Sequence, residues 1–303
     1  MFMIWFGRCA SQAPARSFAR CCRGARPIGF DNAGGDGPVS AARTMRNTTL
    51  VILTGAVLAV NAVRAGEQTT NPSSAGNQTE APSMDQVLEK YVTAIGGKAA
   101  AEKPTTRLLK GTVEGAMIQA PAPWESWAKA PNKRFSSIEV SGFGAMKDGY
   151  DGTVAWSQNP FTGLSEKQGE ELAKQKRDGE FYRELKLKSV YPDLASKGRE
   201  KLAGGEAYVL ESKPTPKSLE RFYFDSQTGL LTRQDSEFET VQGRVTTAVL
   251  FEDYRAVDGV KYPFRLRFKL SLVDQPATEI TIKLTEIKHG LPMEDEKLAR
   301  PKS

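Results

Sequence analysis

The sequence contains a single histidine, His289, in the tripeptide Lys288-His289-Gly290. A Ser-His-Asp hydrolase would have to use it, and no G-x-S-x-G stretch precedes it. A lone histidine in a turn reads as a solvated residue. The three cysteines, Cys9, Cys21 and Cys22, all lie before residue 45. The rest of the chain therefore offers no thiolate nucleophile, disulfide or Cys-ligated metal. Phosphate-binding G-x-x-x-x-G-K-[ST], metal-binding H-E-x-x-H, EF-hand and C-x-x-C-H patterns are absent. No catalytic residue, metal or cofactor is expected. Carboxylates are plentiful, but Glu170-Glu171 and the run Glu294-Asp295-Glu296 read as solvated. Glycosidase chemistry needs two carboxyls at a defined separation, which sequence does not reveal.

The aromatic residues are more informative. Trp124 and Trp127 flank a candidate strand start, and Trp156 follows the turn Asp151-Gly152. Phe222, Phe224, Phe264 and Phe268 fall on apolar strand faces, with Leu266 in the same alternation. Each is explained most simply as packed core. Together they would also suit an apolar ligand, because a curled sheet of ten or more strands has an inner face too large for its own side chains to fill.

Two segments stand apart from the elements that must position these residues. Net charge is +6, and eight arginines against two aspartates in residues 1–65 account for all of it. The remainder is neutral, which argues against a nucleic-acid partner. Met45-Arg46, the apolar run Leu50–Val60 and the small residues before Ala65 have the layout of a secretory signal cleaved after Ala65. The apolar run is too short to span a bilayer. Residues 1–44 read best as an N-terminal extension from a start assigned too early, with Met45 as the start; a transit-like extension, Arg-rich and poor in acids, is the alternative. Residues 66–83 are almost devoid of apolar side chains and read as a flexible tether. Residues 84–303 are expected to form one domain, periplasmic or secreted.

Within it, Ser83 caps a helix in which Met84, Val87, Leu88, Tyr91, Val92 and Ile95 recur at helical spacing, closed by Gly96-Gly97. A second short helix spans Lys98–Lys103. The period then changes from 3.6 to 2. Phe264, Leu266, Phe268 and Leu270 alternate with basic residues, and Ile280, Ile282 and Leu284 alternate with Thr and Lys. This predicts antiparallel strands with one buried face. Regular turn signals predict about eleven strands in a mainly β (α+β) fold, curled into a barrel or half-barrel. Leu164–Arg177, rich in Glu and Lys, reads as an exposed helix between strands.

The stretches Met84–Lys103 (MDQVLEKYVTAIGGKAAAEK), Asp148–Trp156 (DGYDGTVAW), Tyr223–Leu231 (YFDSQTGLL) and Glu252–Phe268 (EDYRAVDGVKYPFRLRF) resemble bacterial outer-membrane lipoprotein-sorting proteins. They are similar to the broad group of secreted domains with the lipoprotein-carrier, Lol-type fold. The resemblance implies an unclosed antiparallel barrel of about eleven strands with helices over the open side. It also implies a cavity for acyl chains of lipoproteins or lipids. A carrier or chaperone of that kind would have an acylated protein or lipid as ligand and a membrane-bound donor or acceptor as partner. The residues expected to line its cavity are Trp124, Trp127, Trp156, Phe222, Phe224, Phe264, Leu266 and Phe268. The helices Met84–Ile95 and Leu164–Arg177 are its candidate lids. Two alternatives stand beside it: an envelope protein-interaction module without a small ligand, and a carboxylate-dependent enzyme acting on lipid or glycan.

Overall fold

A long antiparallel sheet is built from thirteen strands among the described residues. The structure, a computed structural model, describes residues 82–115, 118–240, 243–272 and 276–302. The extension, the signal, nearly all of the tether and the three cysteines lie outside them.

The chain opens with helix α1 (Met84–Ala94) and the single turn α2 (Lys98–Ala101). Six strands follow: β1 (Thr106–Gly115), β2 (Ile118–Lys129), β3 (Lys133–Val140), β4 (Gly144–Tyr150), β5 (Ala155–Asn159) and β6 (Gly163–Glu166). Helix α3 (Gly169–Gly179), a 3-10 turn at Arg183–Leu185 and the short α4 (Leu187–Val190) interrupt the strands. Seven more strands complete the sheet: β7 (Ala195–Leu202), β8 (Gly205–Thr215), β9 (Ser218–Asp225), β10 (Leu231–Thr240), β11 (Gly243–Val257), β12 (Val260–Leu272) and β13 (Thr278–His289).

Strand order is β6-β5-β4-β3-β2-β1-β13-β12-β11-β10-β9-β8-β7. The last strand pairs with the first, and the two edges are β6 and β7, so the sheet is not closed. The helical segment between β6 and β7 is thus the link from one edge to the other. Thirteen strands stand where about eleven were expected. The surplus has a physical cause. Edge strand β7 (ASKGREKL) is exposed at most of its positions, and β6 has only four residues. Neither buries a face, so neither carries the alternation by which strands are read.

Helix α1 forms as its sequence dictates. The Ser83 hydroxyl accepts from Gln86 N, and the Gln86 side chain accepts from Ser83 N at 2.8 Å, a reciprocal cap. Gly96 ends the helix at φ +119°, where a Cβ would meet the Gly259 carbonyl oxygen. Val87, Tyr91 and Ile95 pack into a buried cluster with Tyr191, Leu210, Phe222, Phe224 and Leu231. A second cluster, Val113, Trp124, Ile138, Val249, Phe268, Ile280 and Ile282 among others, forms the middle of the inner sheet face.

Helix α3 corrects the expectation of an exposed helix. Its strand-facing side is buried and polar: Lys174, Gln175 and Gly179 are inaccessible, and it packs against β4, β5 and β10. Polarity alone suggested solvent. Burial is possible because the sheet supplies opposite charges beneath it.

Candidate functional site

Between the inner sheet face and the α3-to-α4 segment lie two adjoining hollows, of about 240 Å³ and about 90 Å³. The larger has an apolar floor of Leu109, Trp124, Val249, Phe251, Leu266, Phe268 and Ile282. Register explains this set. Val249 pairs with Phe268 and Phe251 with Leu266, while Leu266 pairs with Ile282. Residues directly opposite on neighbouring strands share a face. At Asp253 (φ 55°) strand β11 is re-aimed, so that Tyr254 lines the smaller hollow. The hollows share Arg107, Phe181, Arg183, Glu184 and Phe251, which form the throat between them.

The lid of the larger hollow is a buried ion network. Lys174 Nζ lies 3.1 Å from Asp178 Oδ2 and 3.2 Å from Glu220 Oε1. Arg183 Nη1 donates to Asp178 at 2.8 Å, and its Nη2 donates to Gln234 at 3.3 Å. Gln234 and Ser236 in turn donate to Glu220. On the other flank, Lys167 and Gln175 donate to Asp148, with Arg134 nearby at 3.8 Å. Burial pushes the Asp178 carboxyl up, but Lys174 and Arg183 outweigh it and hold it well below the usual carboxylate range. Burial and the Glu220 charge push the neighbouring Tyr191 phenol up to about 12. The network pins α3 to β9 and β4 through charge and hydrogen bonds.

His289 is not a solvated turn residue. Its side chain is 7% exposed, with Nδ1 2.8 Å from Asp258 Oδ2 and Nε2 3.1 Å from the Tyr262 hydroxyl. The antiparallel pairing of β1 with β13 sets it opposite Arg107 and buries it beside Tyr262. A Lys-His-Gly tripeptide cannot reveal a pairing more than 180 residues away. Among the described residues there is no cluster of His, Cys, Asp and Glu arranged to hold a metal ion.

The eight residues singled out from sequence separate into three places. Trp124, Leu266 and Phe268 line the larger hollow, and Phe222 lines the smaller. Phe224 is buried against Tyr91 at 5.1 Å between ring centroids, and Phe264 is buried beneath the Arg255 guanidinium at 4.6 Å; neither reaches a hollow. Trp127 and Trp156 lie on the outer face. Trp127 pairs with Phe135, Phe135 with Gly149, and Gly149 with Trp156, one residue out of step with the inward-facing Trp124, Arg134 and Asp148. The C-terminal segment covers them: Lys297 Nζ stands 3.4 Å from the Trp127 ring centre, and Arg300 pairs with Glu166 at 2.9 Å. A Cβ on Gly149 would meet the Trp156 indole at 2.5 Å, so only glycine fits there.

Arg107, Glu184 and the charged face of α3 were not singled out from sequence. A signal for Arg107 did exist. It is two residues from Leu109 on β1, which places both on the same sheet face. No helix among the described residues is long and apolar enough to cross a membrane.

No family model matches the chain, and no curated protein matches it. Solved structures similar to it include a LolA superfamily protein from Nitrosomonas europaea, at 13% identity and a TM-score of 0.47, covering 72% of this chain and 98% of that one. A DUF1329 family protein from Desulfovibrio piger matches at 13% identity and a TM-score of 0.45, covering 71% and 96%. An outer membrane lipoprotein-sorting protein domain from Vibrio parahaemolyticus matches at 11% identity and a TM-score of 0.44, covering 70% and 97%. Two of the three carry the family description that the sequence resemblance names. Identities this low, with TM-scores below 0.5, establish no shared activity.

Proposed function

We propose that the protein is a carrier or chaperone, acting outside the cytoplasm, that holds the apolar chain of a lipid or acylated protein in the larger hollow. The observation that carries this reading is the 240 Å³ hollow with an apolar floor of Leu109, Trp124, Leu266, Phe268 and Ile282, facing the charged segment from Asp178 to Glu184. Well-packed interiors leave few voids larger than a water molecule. An apolar cavity of roughly 150 Å³ takes up benzene. By proportion this one takes a chain of about ten carbons. Burying them contributes about 8 kcal/mol before ordering costs, at about 0.8 kcal/mol per methylene. A multi-chain lipid anchor needs more room, and displacement of α3 would provide it, because the network that holds α3 can be rehydrated. A membrane-bound donor or acceptor would then act on the α3 side.

A carrier is favoured over an enzyme because two of the three acidic groups at the larger hollow are tied in ion pairs and the third, Glu184, has no carboxylate partner free to work with it. Asp178 is paired with Lys174 and Arg183, and Glu180 with Lys186 at 2.8 Å. The depressed Asp178 carboxyl has no proton to give near neutral pH.

The test is uptake of a neutral fluorescent probe, N-phenyl-1-naphthylamine, by protein purified without detergent. Ala128 lines the hollow, so Ala128→Trp fills it. Wild type should enhance probe fluorescence, and Ala128→Trp should not. Folded Ala128→Trp protein that takes up the probe as wild type does would overturn the assignment. Native mass spectrometry of the same wild-type preparation should find added mass, released by organic solvent.

A further inference from the structure

We propose that the Arg107 guanidinium in the throat seats the anionic head, carboxylate or phosphate, of a single-chain amphiphile whose tail fills the larger hollow. The inference rests on the carrier reading and adds a head-group chemistry to it.

Arg107 lines both hollows, at the one place where they meet. Its Nε is buried, and among the described residues it has no hydrogen-bond partner. The Phe181 and Tyr262 rings lie 5.2 and 5.4 Å from the guanidinium carbon. Rings at this distance stabilise the charge, and the Tyr262 hydroxyl accepts one guanidinium hydrogen bond, which leaves the Nε–H as the donor without an acceptor. A buried donor without an acceptor is costly, and a guanidinium edge matches the two oxygens of a carboxylate or phosphate. The tail has its own path. Leu109, two residues along the same face of β1, begins the apolar floor about 7 Å away.

Two neighbours complete the subsite. The Tyr262 hydroxyl lines the smaller hollow and is held by His289, which Asp258 orients. It accepts from the Arg107 guanidinium and so orients that group toward the head. Glu184 lines both hollows and makes no ion pair within 4 Å among the described residues, unlike Asp178 and Glu180 beside it. Its carboxylate nevertheless acts on Arg107: burial pushes the guanidinium pKa down, and Glu184 and Tyr262 together more than restore it. Glu184 is therefore a resident competitor for an incoming anion.

The experiment is calorimetric titration of the protein with decanoate, decyl phosphate, decanol, acetate and inorganic phosphate. Decanoate or decyl phosphate should bind about ten-fold or more tightly than decanol, the range expected of one charge-assisted contact. Arg107→Gln should remove that preference and leave decanol binding unchanged. Glu184→Gln should tighten the anionic chains several-fold and leave decanol unchanged; a folding defect cannot produce this gain. Decanol bound as tightly as both anionic chains would overturn the subsite while leaving the carrier reading intact. A preference that survives Arg107→Gln would also overturn it. Acetate or inorganic phosphate bound as tightly as its ten-carbon counterpart would make this a free-anion site and overturn the amphiphile. Failure of all three ten-carbon compounds to bind would overturn the carrier reading and the subsite with it.

Discussion

Helices α1 and α3 cover the same sheet in opposite ways. Helix α1 docks through Val87, Tyr91 and Ile95 on a cluster that includes Phe222, Phe224 and Leu231. Helix α3 docks through Lys174 and Gln175 on Glu220 and Asp148, and its Asp178 holds the Arg183 that bonds Gln234. The first contact is apolar and loses its whole stabilisation when water enters. The second exchanges protein partners for water, and the two sides of that exchange nearly balance. A helix held in the first way is part of the fold. A helix held in the second way can leave while the sheet stays intact. The larger hollow adjoins the C-terminal end of the second, at Asp178 and Gly179, which is where the proposed carrier would open.

The largest effect should come from breaking the apolar contact. Tyr91 is 5% exposed, and Tyr91→Ala should cost about 4 kcal/mol of stability, read as a lower urea midpoint for the whole domain. A loss below about 1 kcal/mol would mean that α1 is not part of the core.

Glu220→Ala should come next, at about 3 kcal/mol, because it halves the charge compensation of the buried Lys174 ammonium and takes the acceptor from Gln234 and Ser236. Its signature should differ in kind. Hydrogen exchange should accelerate in α3 and leave α1 protected. The double variant Lys174→Met/Glu220→Leu should recover most of the loss. Uniform acceleration across both helices would erase the contrast between them.

Acid sharpens the comparison without mutation. The Asp178 carboxyl is depressed in the folded protein, so its contribution is fully present above the ordinary carboxylate value of 3.8. That contribution is lost as pH falls from there toward the folded value. Exchange in α3 should therefore rise below about pH 4. The buried residues of α1, Val87 and Tyr91, carry no carboxylate, so α1 should respond less.

The smallest effect belongs to the outer face, where the C-terminal segment is clamped by exposed charges. Lys129 and Lys133 hydrogen-bond the Asp295 carboxylate and lower it from 3.8 to about 2. This clamp is intact above pH 3.8 and is lost as pH falls toward 2. Trp127 fluorescence should report the release. Lys297→Ala should cost about 0.5–1 kcal/mol and shift the same emission, and unchanged emission would remove Lys297 from the Trp127 ring.

How far the sequence could be read follows from what each contact is made of. Helix α1 was legible because its cap, its apolar stripe and its glycines all lie within fifteen residues of one another. Strands β12 and β13 were legible because one face of each is buried and alternation records it. The edge strands β6 and β7 left no such record. Alternation gave Leu266 and Phe268 their shared face but not the hollow in front of it. Trp124 and Trp127 looked equivalent, yet the odd separation between them sends one to the hollow and the other to the outer surface.

Local pattern determined the β-rich architecture, the capped first helix and the apolar faces, because each is encoded by neighbours a few residues apart. Tertiary structure alone decided that a Lys- and Glu-rich helix is buried, that His289 is held between Asp258 and Tyr262, and that Arg107 stands at the junction of two hollows. The reason is range. Glu220 for Lys174, and Tyr262 for both His289 and Arg107, come from strands distant in sequence, and a charge reads as solvated until its counter-charge is placed beside it.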